Sequence, residues 1–128
     1  MRRAAEAAAL ALLLGGCAAS DARFAEAQRS ELAEEIAGRI AGAPVDCVPE
    51  RAALRITGGA LIAVEGGRLW ANDNDRRCAG ATIDPLVIAE PLTGSRLCRN
   101  DRFRTLPRGS SIAGPICRVG AWVPYTTP

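Results

Sequence analysis

The 128-residue sequence contains no histidine, and all sixteen of its basic residues are arginine, so lysine is absent as well. Without histidine, Ser-His-Asp and Cys-His arrangements, His-ligated zinc and imidazole general bases are excluded. Without lysine, Schiff-base chemistry and the lysine of a phosphate-binding loop are excluded too. Any catalysis would have to run on carboxylates, serine, Tyr125 or arginine. The sequence also lacks a C-x-x-C pair, an internal repeat and a low-complexity tail. Its most apolar run, Ala7 to Leu14, falls far short of the roughly 20 residues that span a bilayer. No metal and no cofactor is expected.

Charge gives little more. From Cys47 onward there are eleven arginines against seven acids, a balance of +4. That mild excess suits contact with anionic lipid heads or wall polymers and is too weak to indicate nucleic-acid binding.

What is present begins with Met1-Arg2-Arg3, continues through the alanine and leucine run, and reaches Leu14-Gly15-Gly16-Cys17. A charged start, an apolar middle and small residues at a cut site are the parts of a signal peptide. The ending resembles the bacterial lipoprotein box, and this resemblance implies cleavage after Gly16 and acylation of the Cys17 thiol. Two or three acyl chains, each buried methylene adding about 0.8 kcal/mol, hold a protein at a membrane without a spanning helix. Ala18 in place of Asp after the cysteine implies, by the same resemblance, the outer membrane facing the periplasm. The expected division is therefore 1–16 as signal peptide, 17–43 as lipidated N-terminus and helix, and 44–128 as a folded domain.

Cys47, Cys78, Cys98 and Cys117 remain, and an even number in a short exported chain reads as a disulfide framework. Four cysteines allow three connectivities. Following strand direction along an antiparallel meander places Cys47 with Cys98 at one end and Cys78 with Cys117 at the other, which favours those two pairs.

Ser20 to Gly42 reads as one amphipathic helix, with Phe24, Gln28, Leu32, Ile36 and Ile40 recurring every four residues. Ser20 or Asp21 would cap its start, and Gly42 with Pro44 would end it. Beyond Pro44 the pattern becomes short alternating runs punctuated by glycine. Arg51 to Thr57, Ala60 to Glu65 and Arg68 to Asn72, separated by Gly58-Gly59 and Gly66-Gly67, predict a three-stranded meander. Further strands are expected at Leu86 to Glu90, at Asp101 to Leu106 with Phe103 inward, and at Ile116 to Tyr125. Pro124 and Pro128 suggest that the last of these lies at a sheet edge. The fold class is mainly β: an N-terminal amphipathic helix, then a small antiparallel sheet or barrel-like domain stapled by two disulfides.

Several stretches, among them Ala41-Gly42-Ala43-Pro44-Val45-Asp46-Cys47-Val48, Leu97-Cys98-Arg99-Asn100-Asp101 and Cys117-Arg118-Val119-Gly120-Ala121-Trp122-Val123-Pro124-Tyr125, resemble a family of small exported four-cysteine proteins of alphaproteobacteria. The resemblance implies the β-rich domain and no particular activity. The chain departs from it at Cys78-Ala79, where the family pattern has Cys-Pro.

Three clusters carry alternative chemistry. Asn72-Asp73-Asn74-Asp75 offers oxygen ligands for a hard cation, but Arg76 and Arg77 compete for them, and a solvated turn is the simpler reading. Asp101 with Glu90 could serve as a carboxylate pair, against a structural role for Asp101 in capping a turn. Trp70, Arg102, Arg104, Trp122 and Tyr125 form the expected binding surface, aromatic faces with a basic rim, set against their use in core packing. The leading expectation is a monomeric, non-catalytic envelope lipoprotein. It is anchored to the membrane through Cys17 and binds an envelope protein or wall component. A carboxylate-dependent wall hydrolase and a lysozyme-inhibitor-like module are the alternatives.

Overall fold

The computed structural model describes residues 2–80 and 83–128, with side chains from residue 16 onward. Its elements in chain order are α1 (Arg2–Ile36), β1 (Ile40–Ala41), β2 (Ala53–Thr57), β3 (Ala60–Glu65), β4 (Arg68–Asn72), α2 (Arg76–Ala79), β5 (Leu86–Glu90), β6 (Arg102–Leu106), β7 (Cys117–Arg118) and β8 (Trp122–Thr126). The fold is mainly β, as its alternating runs predict. It has two antiparallel sheets, ordered β1-β8-β4-β3-β2 and β5-β6-β7, rather than one.

The sheets and the helix form three layers. On β3, Leu61 and Ala63 face the smaller sheet, where they join Trp70, Phe103, Val119 and Trp122 in the main core. The alternate residues Ala60, Ile62 and Val64 face the other way, with Leu69 and Ala71 of β4, and meet Leu32 and Ile36 of α1. Burial on both faces is why Ala60 to Val64 is an unbroken apolar run: a strand covered on one side alternates, and one covered on both does not.

Helix α1 departs from expectation at both ends. It does not start at Ser20, whose hydroxyl instead donates back to the Gly16 carbonyl at 3.0 Å within a helix that runs from Arg2. Nor does it reach Gly42. It stops at Ile36, and Gly38 takes a left-handed φ of +71°, the conformation that commonly closes a helix. Ile40, expected on the apolar stripe, is 58 % exposed. It pairs with Thr126 while Ala41 pairs with Tyr125. A boundary at 43/44 therefore falls beyond residues that already belong to the larger sheet.

The meander appears as predicted, with Thr57 opposite Ala60 across Gly58-Gly59. Both of these glycines have positive φ, as a two-residue type I′ hairpin requires. The final run does not form one strand. Cys117–Arg118 pairs with β6 in the smaller sheet, and the chain then crosses at Val119 to Ala121 so that Trp122–Thr126 joins the larger one. Nor is β8 an edge, because it lies between β1 and β4. Pro124 fits there because β1 has ended opposite it. The Gly42 N–H donates to the Pro124 carbonyl at 2.7 Å, and the return bond that proline cannot make is absent.

The disulfides are Cys47–Cys98 and Cys78–Cys117, the favoured pairs. They hold different places from the two ends of a single meander. Cys47 and Cys98 face each other in an isolated antiparallel bridge, and Cys78 on α2 is tied to Cys117 on β7.

Candidate functional site

The tight loop from Cys98 to Asp101 is built by its own hydrogen bonds. The Asp101 N–H donates to the Cys98 carbonyl at 3.0 Å, closing a four-residue turn. Asn100, third in that turn, has φ of +74°, the left-handed region that a type II turn needs and that Asn tolerates better than most residues. Asp101 is only 4 % exposed. Its Oδ1 accepts from the Leu92 N–H at 3.0 Å and its Oδ2 from the Cys98 N–H at 2.7 Å. Both carboxylate oxygens therefore hold backbone, which is the capping role. Glu90 sits beside two arginines, 3.8 Å from Arg102 Nε and 3.1 Å from Arg104 Nε.

The loop is also fastened from outside. The Arg99 N–H donates to the Asp46 carbonyl at 2.7 Å, and the Asn100 N–H to the Val119 carbonyl at 2.9 Å. Together with the Cys47–Cys98 disulfide, these bonds fix the backbone from which Arg99 projects.

The Asn72 to Asp75 stretch is only half the solvated turn expected of it: Asp73 and Asp75 are exposed, but Asn72 and Asn74 are buried. The Asn72 side chain imitates a strand partner, donating to the Gly120 carbonyl at 3.0 Å and accepting from the Gly120 N–H at 2.8 Å. The Asn74 amide accepts from the Leu61 N–H at 2.9 Å and donates to the Gly59 carbonyl at 3.0 Å. Asp75 caps α2 by accepting from the Arg77 N–H at 3.0 Å. Among the described residues, no group of three or more Cys, Asp or Glu side chains is placed to hold a metal ion.

The expected aromatic surface is divided. Trp122 is fully buried and Trp70 is 6 % exposed, so both belong to the core. The Arg68 guanidinium covers the Trp70 ring at 5.1 Å from its centroid, within cation–π range. The reason is the alternation of β4 and β8: Trp70 and Trp122 occupy inward positions between the two sheets. Tyr125 points the other way and packs half-buried beside Leu69 under α1. Arg102 and Arg104 lie on the smaller sheet, tied to Glu90.

The structure instead brings together residues from three separated stretches. An open groove of about 500 Å³ runs beside the Cys78–Cys117 disulfide and is lined by Asp73, Asp75, Arg99, Asn100, Arg118 and Gly120, among others. A second hollow, beside the Cys47–Cys98 disulfide, shares Arg99 and Asn100 with the first. The two hollows flank the type II turn, one beside each disulfide. Neither Arg99 nor Arg118 has an ion-pair partner among the described residues, which they share with Arg23, Arg39, Arg51, Arg76, Arg77 and Arg96; they differ from these six in lining the groove. Sequence reasoning missed this pair of arginines, although a signal was available. Each follows a disulfide cysteine directly, as Cys98-Arg99 and Cys117-Arg118, and a residue next to a crosslink is held in place.

Comparison with family models, with curated proteins and with solved structures finds no match to this chain.

Proposed function

We propose that this chain is a lipid-anchored protein of the bacterial cell envelope, acylated on Cys17 and facing the periplasm from the outer membrane. Its β domain is a non-catalytic module that binds an envelope component through the groove beside the Cys78–Cys117 disulfide. The observation that carries the reading is the partition of the cysteines. Four are consumed in two disulfides, and Cys17 alone is free and exposed. It sits directly after the Leu14-Gly15-Gly16 stretch that a lipoprotein peptidase would read.

Placement supports the anchor as well. Residues 16–24 of α1 are all exposed, and Ala25 is the first to be half-buried. Cys17 therefore stands about 12 Å along the helix from the docked portion, at the 1.5 Å rise of an α-helix, clear of the body it would tether. The two disulfides support an oxidising compartment outside the cytoplasm. Membership of the alphaproteobacterial four-cysteine family is part of the same proposal.

The test is the intact, non-reduced mass of the protein extracted from bacterial membranes. The expected mass is that of the chain from Cys17 plus acyl chains, less four protons for the two disulfides. A soluble, unacylated species that keeps residues 1–16 would overturn the anchor.

A further inference from the structure

The groove beside the Cys78–Cys117 disulfide has a charge pattern that points to its ligand. Arg118 on β7 is in register with Arg102 on β6, and like charges directly opposite each other across a sheet repel. Arg102 is compensated from its other side by Glu90, which pairs with it across β5 and β6. Arg118 has no such compensation and lines the groove with Arg99. Two guanidiniums without partners on a cross-linked frame suit a carboxylate, which each can grip with two parallel N–H bonds.

The groove is not purely cationic, however. Asp73 lines it too, is exposed, and has no arginine partner among the described residues. Its backbone is fixed by the bond from its N–H to the Ala121 carbonyl at 2.9 Å and by close contact with Gly120. Asp75 lines the groove as well and spends one carboxylate oxygen on capping α2, which leaves Asp73 as the acid with both oxygens unbonded among the described residues. A lone anion would meet repulsion there, and a lone cation would meet Arg99 and Arg118. A ligand carrying both charges satisfies all three side chains.

We infer that this groove is a binding site for a short zwitterionic peptide, with Arg99 and Arg118 taking the terminal carboxylate and Asp73 the ammonium. The inference deepens the binding-module reading, on which it rests, and is independent of the lipid anchor. It names the class of envelope component that fits: a peptide with a free C-terminus.

The experiment is calorimetric titration of the full chain in detergent micelles with trialanine, its C-terminal amide, its N-acetyl form and inorganic phosphate. Trialanine should bind at least tenfold more tightly than its amide and than its N-acetyl form. Arg118→Gln and Arg99→Gln should each erase the preference for the free acid, and Asp73→Asn the preference for the free amine, with circular dichroism unchanged because all three side chains are at the surface. Equal affinity for trialanine and its amide, or no binding of trialanine, would overturn the inference. Phosphate binding as tightly as trialanine, with no effect of N-acetylation, would overturn it in favour of a simple anion site. An acylated chain that ignores every peptide keeps the anchor and loses the groove. An unacylated chain that binds trialanine does the reverse.

Discussion

Gly120 and Asp73 meet backbone to backbone: a Cβ on the glycine would overlap the Asp73 carbonyl oxygen and stand 2.8 Å from its carbonyl carbon. This contact closes the floor of the arginine groove, and the reciprocal bonds between Asn72 and Gly120 seal it. No flexible side-chain end is available to give way. Gly120→Ala should therefore cost about 1–3 kcal/mol, the usual range for overpacking, read as a fall in urea midpoint at unchanged slope. It should also weaken trialanine binding. A neutral result would mean that the two backbones are not in contact.

Asp101→Asn separates the structural role of this carboxylate from a catalytic one. Asn would present an NH₂ group to one of two backbone N–H donors, leaving one amide without an acceptor in a buried loop. The expected cost is about 1–3 kcal/mol, with faster amide exchange at Leu92 or Cys98. A hydrolase that uses Asp101 as an acid would lose muropeptide release as well.

Gly58→Ala and Gly66→Ala form a matched pair, since both glycines have positive φ, +56° and +59°. Around Gly66 there is open space, so its substitution should cost only the backbone term of about 1–2 kcal/mol. At Gly58 a Cβ would overlap the Gln28 carbonyl oxygen and stand 3.2 Å from the Leu32 nitrogen, both in the backbone of α1. That change should lift the helix from the sheet, break the bond from the Gly58 N–H to Glu31 Oε2, and expose Ile62 and Leu69. Binding of a hydrophobic dye should rise for Gly58→Ala and not for Gly66→Ala.

The two disulfides close segments with sequence separations of 51 and 39 residues. In the chain-entropy account, each should contribute about 4 kcal/mol. Paired serine substitutions at Cys78 and Cys117 should lower stability by about that amount and abolish peptide binding, because Arg118 loses its neighbouring crosslink. The same change at Cys47 and Cys98 should cost a similar amount and release the Arg99 turn. Chemical denaturation of the two double variants, compared with the parent, checks both.

Much of the sheet was legible in the sequence because its signals are local. Gly58-Gly59 and Gly66-Gly67 set two hairpins, and the alternation of Arg102 to Leu106 placed Phe103 inward. The pairing of the cysteines followed from strand direction even though the single meander assumed for it is in fact two sheets. What was not legible depends on distant partners. Ile40 fits a helical period as well as a strand, and only the presence of Thr126 across from it decides. Trp70 and Trp122 read equally as a platform or as core until the second sheet covers them. Gln28 falls on the recurring stripe, but nothing local says why a polar side chain sits there. It is buried because glycines at 59 and 80 leave a hollow for its side chain, with its Nε2 reaching the Arg76 carbonyl at 3.4 Å. The arginine groove was hidden for the same reason: it draws on three stretches that only the crosslinked fold brings together.

The position of β8 has a consequence for biosynthesis. It is the last element in the chain and lies inside the larger sheet, joining β1 to β4, while its Trp122 fills the space between the two sheets. A nascent chain that has emerged only as far as residue 121 lacks both the bridge between its first and fourth strands and the largest side chain of its core. Residues 1–121 alone can therefore neither complete the larger sheet nor fill the space between the two sheets, and cooperative folding of the domain waits for Trp122–Thr126.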